Sequence, residues 1–288
     1  MITRKPEWIR KRLPTGNGFQ RIEQNLLKNG LHTICQEALC PNHGECFSRG
    51  LATFLIMGDT CTRNCTFCAV NSGKPKPLDG DEPERVADEV RSMRLRYVII
   101  TSVTRDDLPD GGAEHFARTI RIVKEKNPGV GIEVLIPDFK GSTHALRKVI
   151  EAEPDVLNHN IETVTRLYPD IRPKADYHQS IKLLEVAKNT TNSKLVTKSG
   201  MMVGMGEAPE EVESVMRDLR YADCDILTIG QYLCPSGNHY PVFEYVKPEL
   251  FVSYKKTALE MGFKDVVSGP FVRSSYMAET SFRNALWG

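Results

Sequence analysis

Six of the eight cysteines fall into two trios. Cys61, Cys65 and Cys68 stand in C-T-R-N-C-T-F-C directly after the apolar run Ala52-Thr53-Phe54-Leu55-Ile56-Met57, and Cys35, Cys40 and Cys46 lie just upstream. Thiolate is a soft ligand, suited to iron and sulfide. A cubane cluster has four irons, so a protein that offers three thiolates leaves one iron open to a substrate or cofactor. The spacing Cys61-x3-Cys65-x2-Cys68, with Phe67 immediately before the last cysteine, suits such an open cluster, and Cys35-x4-Cys40-x5-Cys46 offers a second three-thiol set. The competing reading is zinc or structural thiols. Zinc usually prefers paired C-x2-C ligands closed to four-coordination, and no second pair or His partner lies at matching distance. Two clusters imply two jobs. The second relays electrons, binds substrate or gives up sulfide, and spacing does not choose among these.

These residues need a scaffold. From about residue 52 onward, β-branched runs alternate with amphipathic segments, which predicts strands near 52–57, 97–103, 131–136, 155–161, 194–203 and 225–233. Val86, Val90 and Met93 share one helical face; so do Phe116, Ile120 and Val123, then Leu146, Val149 and Ile150, then Tyr177, Ile181 and Leu184, then Val212, Val215, Met216 and Leu219. Pro83 and Pro209 sit in acidic surroundings where helices should start, because a first turn does not need their missing N–H. The strands are mostly apolar on both faces, as a parallel sheet covered by helices requires. Six β-then-α units with right-handed crossovers predict an α/β fold, a partial (β/α)6 TIM-type barrel whose lateral opening admits a large or protein-bound substrate. Catalytic groups of such barrels sit at the C-terminal ends of strands, where the loop carrying Cys61, Cys65 and Cys68 falls.

The barrel is expected over residues 51–262. Residues 1–50 carry Pro6, Pro14, Gly16, Gly18 and the upstream trio, show only a short amphipathic stretch, and are expected as an extension laid over it. Residues 263–288 form a short C-terminal extension. In it Asp265-Val266-Val267 follows the helix carrying Leu250, Tyr254, Ala258 and Met261 and precedes Gly269-Pro270-Phe271-Val272-Arg273-Ser274-Ser275-Tyr276. No internal repeat and no low-complexity linker interrupts the chain, so extensions and barrel are expected as one folding unit.

The 38 basic and 37 acidic side chains nearly cancel, so no global field points to nucleic acid, an anionic membrane or an acidic partner. The basic start, Arg4-Lys5 through Arg10-Lys11-Arg12, reads as a solvated arm. No apolar h-region follows it and no run of about eighteen apolar residues occurs, which predicts a soluble cytoplasmic protein without signal peptide or membrane span. In that setting clustered cysteines are ligands rather than disulfide staples. Cys224 and Cys234 stand apart and are expected as small buried hydrophobes.

The C-x3-C-x2-C loop after the first strand, with its aromatic before the third cysteine and α/β alternation behind it, resembles the radical S-adenosylmethionine superfamily. Joined to C-x4-C-x5-C upstream and Arg273-Ser274-Ser275-Tyr276 near the C-terminus, it resembles the lipoyl synthase family in particular. Intervening runs are similar to that family too: Thr101-Ser102-Val103 leading to Arg105-Asp106-Asp107, Val134-Leu135-Ile136-Pro137-Asp138-Phe139, Asn158-His159-Asn160 and Thr197-Lys198-Ser199-Gly200-Met201-Met202-Val203-Gly204. The likeness runs from about Lys5 to Ala278. Met277 stands where histidine is common and the tail is short, and neither departure touches a ligand position.

The resemblance implies two [4Fe-4S] clusters and S-adenosylmethionine. Cys61, Cys65 and Cys68 hold the cluster whose open iron chelates the methionine amino and carboxylate groups, and one electron cleaves the sulfonium to a 5′-deoxyadenosyl radical, chemistry that belongs to the cofactor. Cys35, Cys40 and Cys46, with Ser275 as an unusual fourth ligand and Ser274 as the alternative, hold an auxiliary cluster that donates sulfur. A hydroxyl oxygen is a harder ligand than thiolate and leaves more readily when the cluster opens. Without the resemblance both serines read as turn caps, and Arg273 either holds the substrate amide region or pairs with a carboxylate. Gly111 and Gly112 would let backbone approach the methionine end of the cofactor, although Gly-Gly-Ala stands here where many members have Gly-Gly-Glu. A turn and helix start is the competing reading. Glu133, inside an apolar strand, requires a partner such as a ribose hydroxyl. Asn158 and Asn160 share a strand face, as barrel-mouth groups or as structural hydrogen bonders.

The implied reaction inserts sulfur at C6 and C8 of an octanoyl chain amide-linked to a lysine, consuming two S-adenosylmethionine. Unactivated C–H bonds offer no acid for a base, and hydrogen-atom abstraction answers that difficulty. The implied partners are an octanoylated lipoyl carrier protein or domain, an electron donor such as ferredoxin or flavodoxin, and a cluster-assembly or carrier protein, with no nucleic acid and no membrane. The nearest alternative is another radical enzyme with an auxiliary cluster, a sulfur-inserting relative of biotin synthase or a methylthiotransferase, which C-x4-C-x5-C argues against. A non-enzymatic iron–sulfur or zinc module is the alternative of a different class.

Overall fold

The computed structural model describes residues 5–10, 17–190 and 195–287. Arg4, Lys11, Arg12, Pro14, Gly16 and the first residue of the strand expected from position 194 lie outside them. The chain divides into two compact units. An N-terminal unit comprises Arg12–Asn64 and Ala69–Leu157; a C-terminal unit comprises Met1–Lys11, Cys65–Cys68 and Asn158–Gly288.

The N-terminal unit opens with helix α1 (Asn17–Lys28), strand β1 (His32–Thr33) and two short helices, α2 (Ile34–Glu37) and α3 (His43–Ser48). The extension is therefore more helical than its Pro- and Gly-rich composition predicts. Side chains of α1 account for this: Ile22 and Leu26 are buried, so tertiary packing overrides weak local propensity. Then come β2 (Thr53–Ile56), β3 (Thr60–Cys61), β4 (Asn71–Ser72), α4 (Glu82–Ser92), β5 (Tyr97–Ser102), α5 (Ala113–Lys126), β6 (Gly131–Leu135) and α6 (Thr143–Glu151). Strand β2 pairs parallel with β5 from Thr53↔Ile99 to Ile56↔Ser102, and β5 with β6 from Tyr97↔Gly131 to Thr101↔Leu135, while β1 lies antiparallel on β2. Val86 and Val90 of α4, Phe116, Ile120 and Val123 of α5, and Val149 of α6 are buried on the faces that periodicity assigned. Each such side chain contributes roughly 1.5–3 kcal/mol of transfer free energy. Pro83 sits in the first turn of α4.

Strand β7 (Val156–Asn158) spans the division, and the C-terminal unit continues with α7 (Tyr168–Ile171), α8 (Tyr177–Thr190), β8 (Val196–Val203), α9 (Pro209–Tyr221), β9 (Ile226–Gln231), α10 (Pro248–Glu260), β10 (Asp265–Gly269) and α11 (Ala278–Trp287). Strands β8 and β9 pair parallel from Lys198↔Ile226 to Val203↔Gln231, and β10 joins β9 from Asp265↔Ile226 to Gly269↔Gly230. The run at Asp265 thus adds a further parallel strand. In α10 the buried face is Phe251, Tyr254 and Ala258, so Leu250 is only half-buried and Met261 falls just past the helix.

All six expected strands are present, and the class is α/β with a mostly parallel sheet of the partial TIM-barrel type. Strand β9 is buried at every position and β2 likewise, the pattern of strands covered on both faces. Among the described residues, no helix is long and apolar enough to cross a membrane.

Candidate active site

The loop that leaves β2 is bent at once and pinned there. Met57 takes φ +69°, a left-handed conformation unfavourable for a side chain of its size, and Gly58 follows at +91°. Glu82 accepts the Met57 N–H at 2.8 Å, His115 Nε2 meets the same carboxylate oxygen at 2.7 Å, and Arg105 donates to the Met57 carbonyl at 3.4 Å. Four residues on, Cys61 sits in β3, paired with Ser72 of β4. Its Sγ accepts backbone N–H groups from Arg63 at 3.4 Å and Thr104 at 3.3 Å. Two N–H donors are thus aimed at one ligand-type sulfur.

Cys65 and Cys68 belong to the C-terminal unit. The Cys68 N–H donates to the Cys65 carbonyl at 3.0 Å, and His239 Nε2 lies 3.1 Å from the Cys68 carbonyl oxygen. Between them Thr66 donates through N–H and hydroxyl to the carbonyls of Ile171 and Asp170, and its own carbonyl accepts from Tyr240 N–H. Chain connectivity holds the three thiols within one eight-residue stretch.

Cys35 sits in α2, Cys46 in α3, and Cys40 in the segment between them. Thr33 caps α2 by accepting from Gln36 N–H; Cys40 N–H donates to the Cys35 carbonyl at 3.1 Å, and Cys46 N–H to the Asn42 carbonyl at 2.9 Å. Burial pushes the Cys35 thiol up to about 12, and the charges of Cys40 and Cys46 push it in the same direction. Negative charge on Cys40 and Cys46 is thus felt at Cys35, which places the three thiols near one another.

Ser274 and Ser275 divide in role. The Ser274 hydroxyl lies 2.7 Å from Asn160 Nδ2 and 2.9 Å from Asn160 Oδ1, while Asn160 Nδ2 also donates to Glu162 at 3.0 Å and Arg172 donates to the Asn160 carbonyl at 3.0 Å. A Cβ at position 200 would stand 2.8 Å from Asn160 Oδ1 and 3.0 Å from Ser274 Oγ, so this approach requires Gly200. Burial raises the Glu162 carboxyl above the usual range against the pull of Arg172, Asn160 and Arg273. The Ser275 hydroxyl has no hydrogen-bond partner among the described residues. Asn160 falls past the end of β7 rather than on a strand face with Asn158, and it serves as a structural hydrogen bonder.

Gly111 (φ +63°) and Gly112 (φ +89°) form the turn that enters α5, capped by Asp110, whose carboxylate accepts from Gly112 and Glu114 N–H. A Cβ on Gly112 would collide with the Met57 side chain and one on Gly111 with Phe139, so their first requirement is intramolecular. Glu133 is fully buried, and the Tyr97 phenol donates to it at 3.0 Å; Asn158 is fully buried as well. Of the two isolated cysteines, Cys224 is fully buried, with its thiol pushed up to about 12 by burial and then by Asp225. Cys234 departs from expectation: it is half-exposed in the loop after β9, its thiol 2.9 Å from the Ser236 carbonyl.

Sequence reasoning missed the charged residues around the first trio. Arg63, inside the cysteine loop, is buried between Asp106 and Asp138, which follow β5 and β6. The available signal was a pair of charged runs, Arg105-Asp106-Asp107 and Pro137-Asp138, immediately after apolar strands.

Among the described residues no group of three or more His, Cys, Asp or Glu side chains is drawn together as a ready metal cage. The donor chemistry nonetheless fits iron–sulfur ligation: soft thiols in both trios, peptide N–H groups on Cys61 Sγ, and mutual repulsion at Cys35.

A family model described as the radical SAM superfamily matches residues 55–219, and one described as the N-terminal domain of lipoyl synthase matches residues 2–40. The chain is 56% identical over 279 residues to the lipoyl synthase of Caldicellulosiruptor saccharolyticus, covering 97% of this chain and 98% of that one. It is 57% identical over 279 residues to the lipoyl synthase of Caldanaerobacter subterraneus subsp. tengcongensis, covering 97% of each. Among solved structures, the FeFe-hydrogenase maturase of Carboxydothermus hydrogenoformans superposes with a TM-score of 0.60 at 12% identity, over 93% of this chain and 68% of that one, a likeness of fold.

Proposed function

This chain belongs to the lipoyl synthase family and is a radical S-adenosylmethionine sulfurtransferase, and from that premise we propose that it inserts two sulfur atoms, at C6 and C8, into an octanoyl group carried on a lysine of a lipoyl carrier protein or domain. The observation that carries the finer reading is the second thiol set. Cys40 and Cys46 lie near enough to Cys35 to raise its pKa, although burial is the larger cause.

In this proposal Cys61, Cys65 and Cys68 hold one [4Fe-4S] cluster, and Cys35, Cys40 and Cys46 hold the auxiliary one with Ser275. When bound, the first cluster supplies the electron that cleaves S-adenosylmethionine and the second supplies sulfide. The chain's own residues do the rest. Met57, fixed by Glu82 and Arg105, aims the cluster loop off the end of β2. Asn160 holds the Ser274 hydroxyl, which supports Ser275 as the motif's free oxygen ligand. Gly111, Gly112, Glu133 and Asn158 are the proposed S-adenosylmethionine contacts; the side-chain-free turn and the buried carboxylate support them. The proposed partners are the octanoylated carrier, an electron donor such as ferredoxin or flavodoxin, and a cluster-assembly or carrier protein.

Iron and sulfide analysis of anaerobically reconstituted protein tests this. About eight irons per chain are expected, together with formation of 5′-deoxyadenosine under reducing conditions. About four irons, or tightly held zinc without cofactor cleavage, would contradict it.

A further inference from the structure

We infer that Arg63, clamped between Asp106 and Asp138, is a positioning residue that sets the reduction potential of the cluster on Cys61, Cys65 and Cys68 by fixing the N–H donors aimed at Cys61 Sγ. The inference rests on the cluster assignment just proposed. Arg63 stands two residues from each flanking cysteine, and its side chain is only 5% exposed. Nε and Nη2 reach Asp106 at 2.7 and 3.0 Å; Nη1 and Nη2 each reach Asp138 at 2.7 Å. Burial alone would push the guanidinium pKa down, and the two carboxylates more than reverse it.

Two forked carboxylates on one guanidinium fix its plane and its position at once. Their own supports extend the clamp. Asp138 also accepts the Lys140 N–H, and the Lys140 ammonium donates to the Asp106 carbonyl at 3.1 Å, tying the loops after β5 and β6 to each other. Thr62 donates through both N–H and hydroxyl to the Thr104 carbonyl, and its hydroxyl accepts the Asp106 N–H at 3.0 Å. The backbone N–H groups of Arg63 and Thr104 are therefore held from both sides, and these are the two donors on Cys61 Sγ.

A buried ion pair is weak as a source of stability, since apolar replacements of similar volume are often neutral or better. Its value is geometric. Hydrogen bonds to a ligand sulfur draw charge from it and raise cluster potential. Loosening the clamp weakens them and lowers the potential. Removing the arginine charge beside two carboxylates acts in the same direction, so a charge-neutral set of changes separates the two contributions.

The test is potentiometric electron paramagnetic resonance of the reconstituted holoenzyme, following the reduced-cluster signal that S-adenosylmethionine perturbs. Arg63→Gln is expected to lower the reduced fraction at fixed potential at least tenfold, which is about 59 mV for a one-electron couple. Asp106→Asn loosens the clamp while removing a negative charge, two opposed influences on the potential, so its readout is amide exchange; Arg63→Lys should shift the potential less than Arg63→Gln. The double variant Arg63→Met, Asp138→Asn removes one charge of each sign, leaves the net charge unchanged, and should still shift downward. In metal-free protein, amide hydrogen exchange of Arg63 and Thr104 should speed up in Arg63→Gln while the amides of Cys40 and Cys46 stay unchanged. If Arg63→Gln does not fold, amide exchange of Arg63 and Thr104 in Asp106→Asn decides alone. Wild-type potential and exchange in folded Arg63→Gln, or wild-type exchange in Asp106→Asn, would overturn the inference. A wild-type protein with no S-adenosylmethionine-sensitive cluster signal would instead overturn the cluster assignment beneath it.

Discussion

The two cysteine trios are seated by opposite means. Around Cys61 the backbone is held by charged side chains: Glu82 on Met57, Arg105 on the same residue, and Arg63 locked into Asp106 and Asp138. Around Cys35, Cys40 and Cys46 the backbone is held by bonds of helices four and six residues long and one threonine cap, with hydrogen bonds from Thr53 of β2 to Cys35 and Leu39 at φ +50° between the first two thiols. A short helix adds few cooperative hydrogen bonds and opens at low cost. Charged forks between strand ends do not. One seat suits a cluster that must keep its shape through many electron transfers; the other suits, in the proposed reaction, a cluster that is dismantled at every turnover.

Cys65→Ala should break the comparison most severely. It removes a proposed ligand of the first cluster, and 5′-deoxyadenosine formation should fall to background in a liquid-chromatography assay; a variant that still cleaves the cofactor would refute the assignment. Ser275→Ala removes the proposed fourth ligand of the auxiliary cluster. Cofactor cleavage should persist while complete lipoyl product is abolished or strongly slowed, and full product would remove Ser275 from the ligand set.

The thiols themselves sharpen the contrast. In metal-free protein, burial and then Cys40 and Cys46 lift Cys35 from 9.0 to about 12. Its thiolate fraction at pH 8 should therefore be about a thousandfold below that of an ordinary cysteine. Iodoacetamide labelling of Cys35, read by peptide mass spectrometry, should lag accordingly and climb roughly tenfold per pH unit. The linkage sign follows: a raised folded-state pKa leaves apoprotein stability intact below pH 9.0 and erodes it as pH climbs toward 12. Rapid labelling at pH 8 would show the site to be open instead. The smallest effect is Ser274→Ala, which removes the hydrogen bonds to Asn160. A loss of about 1 kcal/mol in urea unfolding is expected, with sulfur insertion largely retained. If Ser274→Ala rather than Ser275→Ala stops insertion, the two serines exchange roles.

Much of this was legible because it is local. The three-and-two cysteine spacing, the strand at 52–57 that launches it, and the alternation of apolar runs with helical faces are all written within short windows, so periodicity recovers them. The two seats were not legible. Arg63 meets Asp106 across 43 positions and Asp138 across 75, and Ser274 meets Asn160 across 114. Such pairs carry no periodic signature, since only the parallel pairing of β2, β5 and β6 brings the loops after those strands side by side. Asn160 shows the same limit in reverse. An alternation with Asn158 suggested a shared strand face, yet β7 ends at Asn158 and the Asn160 side chain meets Ser274. Gly111 and Gly112 were rightly singled out as places without side chains, but their neighbours Phe139 and Met57 are far in sequence, so the packing reason was hidden.

The most direct measurement uses protein whose clusters are reconstituted with heavy-isotope sulfide and an octanoylated carrier peptide, incubated anaerobically with reductant and S-adenosylmethionine, then read by mass spectrometry. The peptide should gain two sulfur atoms, both heavy, in no more than one equivalent per chain unless the auxiliary cluster is rebuilt. An unmodified peptide despite 5′-deoxyadenosine formation, or a product carrying light sulfur from solution, would contradict the proposal that one trio keeps its cluster while the other gives its cluster up.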